Sequence, residues 1–468
     1  MTTPSVTAES SAIEPLATPP ARLAGIDRLA LRGSIIELGG YGANQALRLL
    51  TNLVLSRLLF PEAYGLTAII TVFMVALGML TDVGLRDSIM YNERGDDPVF
   101  LDTVWSIQVM RGVGLWVAAA IFAWPVAWLY RQPELCWLII VASFANVIHG
   151  FASTRMHSLS RHVRRGPIVV QEVICKLVSM AVMFAWAWWK PSVWCLVAGG
   201  LTQALSETIS THLLPGTHRN RFRIDRDASR EITSFGKWVF GSSALTFLAG
   251  EGDRILLGRL FSLAALGVYS IAGLLSSAAG LAVQRLTYAV LYGVLGKVAR
   301  ENRSALGEHY YRARLKLDLL AMPLLGVLMV LGPDIVRLLY DPRYHDAGWM
   351  LQILAVRMAL QCALQPLGVC LMAMGQPRYH VPAHAGRFVL VWGGIPLGWA
   401  LAGVQGVLWA TAVSELPMLV VFWTAFRRHG LLRLRREAVA PAAIAFGALL
   451  GWLIHRGIGL FSHVSGGF

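Results

Sequence analysis

The chain has 468 residues, 56% of them hydrophobic and only 15% charged, more apolar material than a soluble domain can bury. Its formal charge of +14 would suit nucleic acid, but the basic residues fall in short loops between apolar runs, which excludes that partner. Cys136, Cys175, Cys195, Cys362 and Cys370 all lie in apolar segments without CxxC spacing, so no disulfide framework, metal site or cofactor is expected. What remains is an all-α polytopic membrane protein.

Residues 1 to 20 are rich in Ser, Thr, Ala and Pro and lack an apolar core, which predicts a disordered tail and argues against a signal peptide. From Ala21 to Arg32, Leu23, Ile26 and Leu29 recur at helical spacing beside Arg22, Arg28 and Arg32. That is the pattern of a short amphipathic helix on a membrane surface, holding residues 1 to 32 in the cytoplasm. Thirteen apolar runs then reach the roughly 20 residues that a span needs. Their limits are 33 to 59, 65 to 86, 104 to 129, 135 to 155, 168 to 189, 192 to 214, 233 to 260, 264 to 295, 317 to 340, 347 to 374, 379 to 402, 404 to 426 and 438 to 460.

Basic residues set the direction. Arg155, Arg161, Arg164 and Arg165, then Arg219 to Arg230, Lys297 to Lys316, and Arg427 to Arg436 all fall in alternate connections, which predicts that these are cytoplasmic. The other connections carry only Arg131, Lys190 and Arg343 and are short, as in RQPE, KPS and GVQG, too short to build an extracytoplasmic catalytic site.

The segment GEGDRILLGRLFSLAALGVYSI, Gly250 to Ile271, has an echo 202 positions earlier: Leu257, Arg259, Leu260, Ala265, Gly267 and Ile271 fall on Leu55, Arg57, Leu58, Ala63, Gly65 and Ile69. Each copy sits at the junction of two long runs, and six spans separate them. An even number returns the chain to the same side, so the halves are expected as parallel repeats about an axis along the membrane normal. The expected architecture is a lobe of six transmembrane helices over 33–214, a second over 233–426, and an additional helix over 438–460.

Polar residues inside the spans point to function, because an ionisable side chain at mid-bilayer costs roughly 2.5 to 3.5 kcal/mol unless it faces a partner or water. At 3.6 residues per turn, Glu37, Tyr41, Asn44, Arg48 and Asn52 share one face of the first span. Ser243, Thr246, Gly250 and Arg254 share a face of the seventh beside Asp253; Ser270, Ser277, Gln284 and Tyr288 share one of the eighth, with Arg285 at its edge. Three such faces imply a hydrophilic cavity. Arg48, Arg254 and Arg285 keep their protons and present planar forks suited to phosphate oxygens, so the cargo is expected to be anionic. Glu37, Asp82, Glu251 and Asp253 would balance those charges in the empty site or take up a coupling proton. Arg111, Glu207, Arg357, Arg387 and Glu415 form a second tier, and Glu172 with Lys176, one turn apart, reads as a structural pair.

Four segments give the chain a family likeness: SRLLFPEAYGL (Ser56 to Leu66), LTDVGLRDSI (Leu80 to Ile89), GDRILLGRLFSLAALGVYSIAGLL (Gly252 to Leu275) and IVRLLYDPRYHDAGWMLQILA (Ile335 to Ala355). Over 33 to about 427 the chain resembles the bacterial polysaccharide transporters, the lipid-linked oligosaccharide flippases of the multidrug/oligosaccharidyl-lipid/polysaccharide superfamily. The likeness implies a non-enzymatic inner-membrane carrier that moves an undecaprenyl-diphosphate-linked repeat unit by alternating access. Proton or sodium coupling and a polysaccharide polymerase and chain-length proteins as partners come with it. It also implies that the first, second, seventh and eighth spans line the cavity, where Arg48, Arg254 and Arg285, with Asn44 and Asp253 nearby, would meet the diphosphate. A drug or metabolite exporter of the same superfamily would want an acidic cavity, and a glycan polymerase or ligase a long outer loop with paired basic residues. Neither feature is found.

Overall fold

The structure is a computed structural model that describes residues 21–80, 89, 94–161, 166–215, 218–226, 247, 250–287 and 291–465, with helix side chains described between 39 and 457. No strand occurs among the described residues. The first half contains α1 (Ala21–Leu58), α2 (Pro61–Leu80), α3 (Pro98–Tyr130), α4 (Glu134–Gly150), the short α5 (Arg155–Arg161), α6 (Gly166–Trp189) and α7 (Trp194–Leu213). The second contains α8 (Gly252–Leu260), α9 (Leu263–Leu286), α10 (Tyr292–Glu301), α11 (Leu306–Leu339), α12 (Ala347–Ala373), α13 (His380–Val413) and α14 (Leu416–Arg428). The short α15 (Leu434–Glu437) and long α16 (Val439–Ser465) follow.

Among the described residues, seven helical runs are long and apolar enough to cross a bilayer. One of them, Pro377–Arg428, holds both the eleventh and the twelfth expected spans, because the chain reverses within it at Ala402 and Gly403. Gly403 takes a φ of 56°, the left-handed region that glycine enters without a Cβ penalty. The two arms of that reversal touch at Gly398 and Gly406, each against the other's carbonyl. α1, at 38 residues, has the length but not the apolarity, since it carries the polar stripe. Residues 1–20, most of the seventh span up to 249, and the end of the second span including Asp82 lie outside the described residues.

The halves meet where α2 crosses α9. A Cβ on Gly65 would run into the Leu263 carbonyl, and one on Gly267 into the Pro61 carbonyl. Leu263 and Gly267 are the 202-residue echoes of Pro61 and Gly65, so the contact is reciprocal: each glycine meets the carbonyl of the residue four positions before the other. Two tyrosines also donate across the junction. The Tyr344 hydroxyl donates to the Leu59 carbonyl at 2.9 Å, and the Tyr130 hydroxyl to the Ile255 carbonyl at 3.4 Å. Around this crossing, Leu55, Tyr64 and Leu115 of the first half share one apolar core with Leu257, Tyr269 and Leu351 of the second.

The last helix is built in. α16 runs along α11, with Gly326 against the Ile444 carbonyl and Gly447 against the Pro323 carbonyl, the close backbone approach that small residues allow in membrane helices. At its base, buried Arg314 donates to Glu437 at 2.6 Å and, at 3.2 Å, to Asp318, while the Tyr311 hydroxyl donates to Glu437 at 2.9 Å.

Candidate functional site

A cavity of about 420 Å³ opens between α1, α4, α6 and α7. Its α1 wall is the polar stripe read from the sequence: Tyr41, Asn44, Gln45 and Arg48. Their i, i+3, i+4 and i+7 spacing keeps them on one face of a continuous helix. Asn52 does not join them, since its amide donates back to the Arg48 carbonyl at 2.8 Å. The facing wall carries Glu172 and Lys176 of α6 with Gln203 and Glu207 of α7. Lys176 donates to Gln203 at 3.3 Å, and Gln203 to Glu207 at 2.8 Å. The buried Tyr41 hydroxyl and Gln45 Nε2 have no hydrogen-bond partner. Orphaned polar atoms on a cavity wall are what water or a polar ligand satisfies.

Of the expected trio of arginines, Arg48 alone lines this cavity, and Arg254 and Arg285 of the other half lie beyond its lining. Arg48 lines the cavity, and no carboxylate lies within ion-pair distance of it among the described residues. Arg254 of α8 is close enough to add its charge to the field at Arg48. The Arg285 guanidinium of α9 stands 5.0 Å from the centre of the Tyr41 ring, a cation–π distance. Asn44 sits in the same cavity.

The acids divide. Glu251 accepts from Arg254 at 2.6 Å. Asp253, 3% exposed, turns away from that pair and accepts from Arg357 of α12 at 2.6 Å. The side chain of Glu37 and all of Asp82 lie outside the described residues.

A second cavity, about 320 Å³, lies in the other half between α9, α12, α13 and α14. Here Glu415, 1% exposed, sits in the break between α13 and α14, one residue before Leu416-Pro417, where proline removes a backbone donor. It accepts from Gln361 at 2.7 Å, with Arg387 at 3.3 Å and Arg357 at 3.5 Å. The imidazoles of His380 and His384 stack 6.1 Å apart on the same wall as Arg387. These residues stood in the second tier or outside the sequence reading. Their signal was the spacing Arg357, Gln361, Gln365 and His380, His384, Arg387, two further polar faces at helical period.

Comparison with known proteins bears on the fold and the family. A family profile described as "Polysaccharide biosynthesis protein" matches residues 54–348. The succinoglycan biosynthesis transport protein ExoT of Rhizobium meliloti is 21% identical over 81% of this chain and 77% of its own length. The lipopolysaccharide biosynthesis protein WzxC of Escherichia coli is 21% identical over 76% and 72%. The teichuronic acid biosynthesis protein TuaB of Bacillus subtilis is 22% identical over 59% of the chain, which spans only 57% of that protein. Among solved structures, the lipid II flippase MurJ in an inward closed conformation superposes with a TM-score of 0.69 at 12% identity, over 93% of this chain and all of that one. An inward-facing multidrug resistance MATE family transporter gives 0.61 at 15% identity, over 82% and 94%. At those identities the structures establish the fold, and the profile, matching more than half of the chain, establishes that the chain belongs to the polysaccharide biosynthesis protein family, built on the MurJ and MATE transporter fold.

Proposed function

We propose that the protein is a flippase that carries an undecaprenyl-diphosphate-linked oligosaccharide repeat unit across the bacterial inner membrane, for exopolysaccharide, capsule or O-antigen synthesis. The observation that carries this reading is Arg48: a half-buried guanidinium on the wall of a polar cavity, with no carboxylate paired to it and with Arg254 and Arg285 of the other half nearby. A diphosphate offers the oxygens that Arg48 lacks among the described residues. The two lobes, 33–214 and 233–426, would rock about the α2/α9 crossing, opening the cavity to one leaflet and then the other. The reciprocal glycine contact supports that repeat arrangement.

In this reading the N-terminus is cytoplasmic and the basic loops face inward. Glu251 holds Arg254 as a counter-ion in the empty site, and arriving diphosphate competes for it. Glu37 and Asp82 remain candidates for charge balance or for a coupling proton. An exporter of cationic drugs is disfavoured, since the buried acids Asp253 and Glu415 are already matched by Arg357 and Arg387.

The test is export. Arg48→Ala and Arg254→Ala are expected to abolish surface glycan while leaving membrane-inserted protein at wild-type levels, with Lys at either site restoring part of it. Normal glycan in the double alanine variant would end the diphosphate reading. A build-up of the lipid-linked intermediate on the cytoplasmic leaflet would identify the cargo.

A further inference from the structure

At the end of the bundle away from the basic loops, the two junctions between the halves follow the same plan with opposite electrostatics. At one, Arg343 donates to Asp341 at 2.7 Å, lies 4.7 Å over the Phe60 ring and feels the charge of Glu62. With Arg57 beside it, cations and carboxylates balance. At the other, the tyrosine that ends the long helix is followed by Arg131 where its counterpart Tyr340 is followed by Asp341. The echo of Glu62 is Ala264. Arg131 of the first half and Arg259 of the second both line a cleft of about 640 Å³ with Trp124, Trp128 and Cys136, and no carboxylate lines it. Among the described residues neither arginine has an ion pair.

Three further features describe what fits there. Arg131 has a φ of 54°, the one non-glycine residue in the left-handed region among the described residues, at a conformational cost of about 1 kcal/mol or more. Trp124 and Trp128 are 69% and 73% exposed, and Trp188 and Trp189 stand out at the same end of the bundle, the band that tryptophan forms at a membrane–water boundary. A guanidinium pair flanked by interfacial indoles matches a phosphate carried on an apolar tail.

We propose that this cleft binds the phosphate-bearing headgroup of a membrane lipid, Arg131 and Arg259 gripping its oxygens from the two halves and Trp124 and Trp128 lying along the start of its chain. The bound anion removes the repulsion between two like charges across the junction and so holds this end closed. The proposal needs the membrane setting but not glycan carriage, so lipid binding and export can fail separately.

The experiment uses purified full-length protein in detergent, with native mass spectrometry reading retained dioleoylphosphatidylglycerol against dioleoylglycerol, and with inorganic pyrophosphate as a tail-free probe. At about 1 kcal/mol for each basic residue, Arg131→Gln or Arg259→Gln should weaken phosphatidylglycerol retention about fivefold, and the pair about thirtyfold. Arg57→Gln should leave it unchanged, and dioleoylglycerol should be indifferent to all of them. Thermal unfolding establishes that the variants are folded. Should the glutamine pair not fold, Arg131→Lys with Arg259→Lys keeps the charge, loses the fork and should still bind less tightly. Equal phosphatidylglycerol retention by wild type and the folded double variant overturns the proposal. So does tight binding of pyrophosphate without the lipid, which would make the site one for a free anion.

Discussion

The two intramembrane cavities are built from the same kinds of side chain and use them in opposite ways. In the first half, Arg48 shares its cavity with amides, a phenol, Lys176, Glu172 and Glu207; orphaned polar atoms occur in both cavities, on Tyr41 and Gln45 here and on His384 and Arg387 in the other. In the second, Arg357 and Arg387 are spent on Asp253 and Glu415, which ties α8, α12, α13 and the α13/α14 break into one unit. Pairing rather than net charge separates them. Arg357 and Arg387 lie within ion-pair distance of Asp253 and Glu415. Arg48, although Glu172 and Glu207 line the same cavity, has no carboxylate within that distance among the described residues, and in the proposed reading it is free for a cargo anion.

The largest expected effect tests that contrast directly. Asp253→Ala leaves Arg357 buried without its closest anion, and breaking such a pair costs about 3 to 5 kcal/mol. It should therefore lower thermal stability sharply in detergent and reduce the amount of folded protein. Arg48→Ala removes no ion pair and should change stability by about 1 kcal/mol or less while losing export. Replacing both Asp253 and Arg357 by leucine should recover most of the stability lost in the single variant. If Arg48→Ala unfolds the protein as readily as Asp253→Ala does, the two cavities do not differ in kind and the reserve-charge argument fails.

A smaller effect sharpens the comparison at the crossing that joins the halves. Gly65→Ala and Gly267→Ala each place a methyl group against a backbone carbonyl that has no side-chain freedom to retreat. Overpacking of that kind costs about 1 to 3 kcal/mol. Because each glycine meets the echo of the residue that the other meets, the two variants should lose thermal stability by similar amounts. A large loss in one and none in the other would show that the contact is reciprocal in shape alone.

Much of this was legible in the chain. The polar face of α1 followed from helical period, and a stripe holding Tyr41, Asn44 and Arg48 could not be left against lipid. The 202-residue echo matched Gly65 with Gly267 in the sequence, but that the two glycines pack at a crossing was not read from it and came from the close backbone approach that small residues allow. What the sequence hid were pairings between distant elements. Asp253 reads as a neighbour of Arg254, one position away, yet its partner is Arg357, about a hundred residues on, since adjacent helical residues point in different directions. Glu172 and Lys176 read as a structural pair, and the sequence did not show that both line the cavity or that Lys176 donates to Gln203 on the same wall. Likewise α16 stood apart behind a basic linker in the sequence. Its glycine contacts with α11, and the meeting of Glu437 at its base with Arg314, show that it is fastened to the second half.

The smallest effect concerns the two tyrosines that hand a hydroxyl across the junction. Tyr344 is fully buried and its hydroxyl reaches Leu59 at 2.9 Å; Tyr130 is only partly buried and its bond to Ile255 is long, at 3.4 Å. A typical hydrogen bond contributes about 1 kcal/mol, and more is lost when a buried acceptor is stranded. Tyr344→Phe should then lower stability by about 1 to 2 kcal/mol, and Tyr130→Phe by less. In an alternating-access carrier the same bonds must break each time this end opens, so neither substitution should abolish glycan export as Arg48→Ala does. If Tyr130→Phe proves the more damaging of the two, the junction bearing Arg131 and Arg259 is the tighter one, and the length of its hydrogen bond does not set its strength.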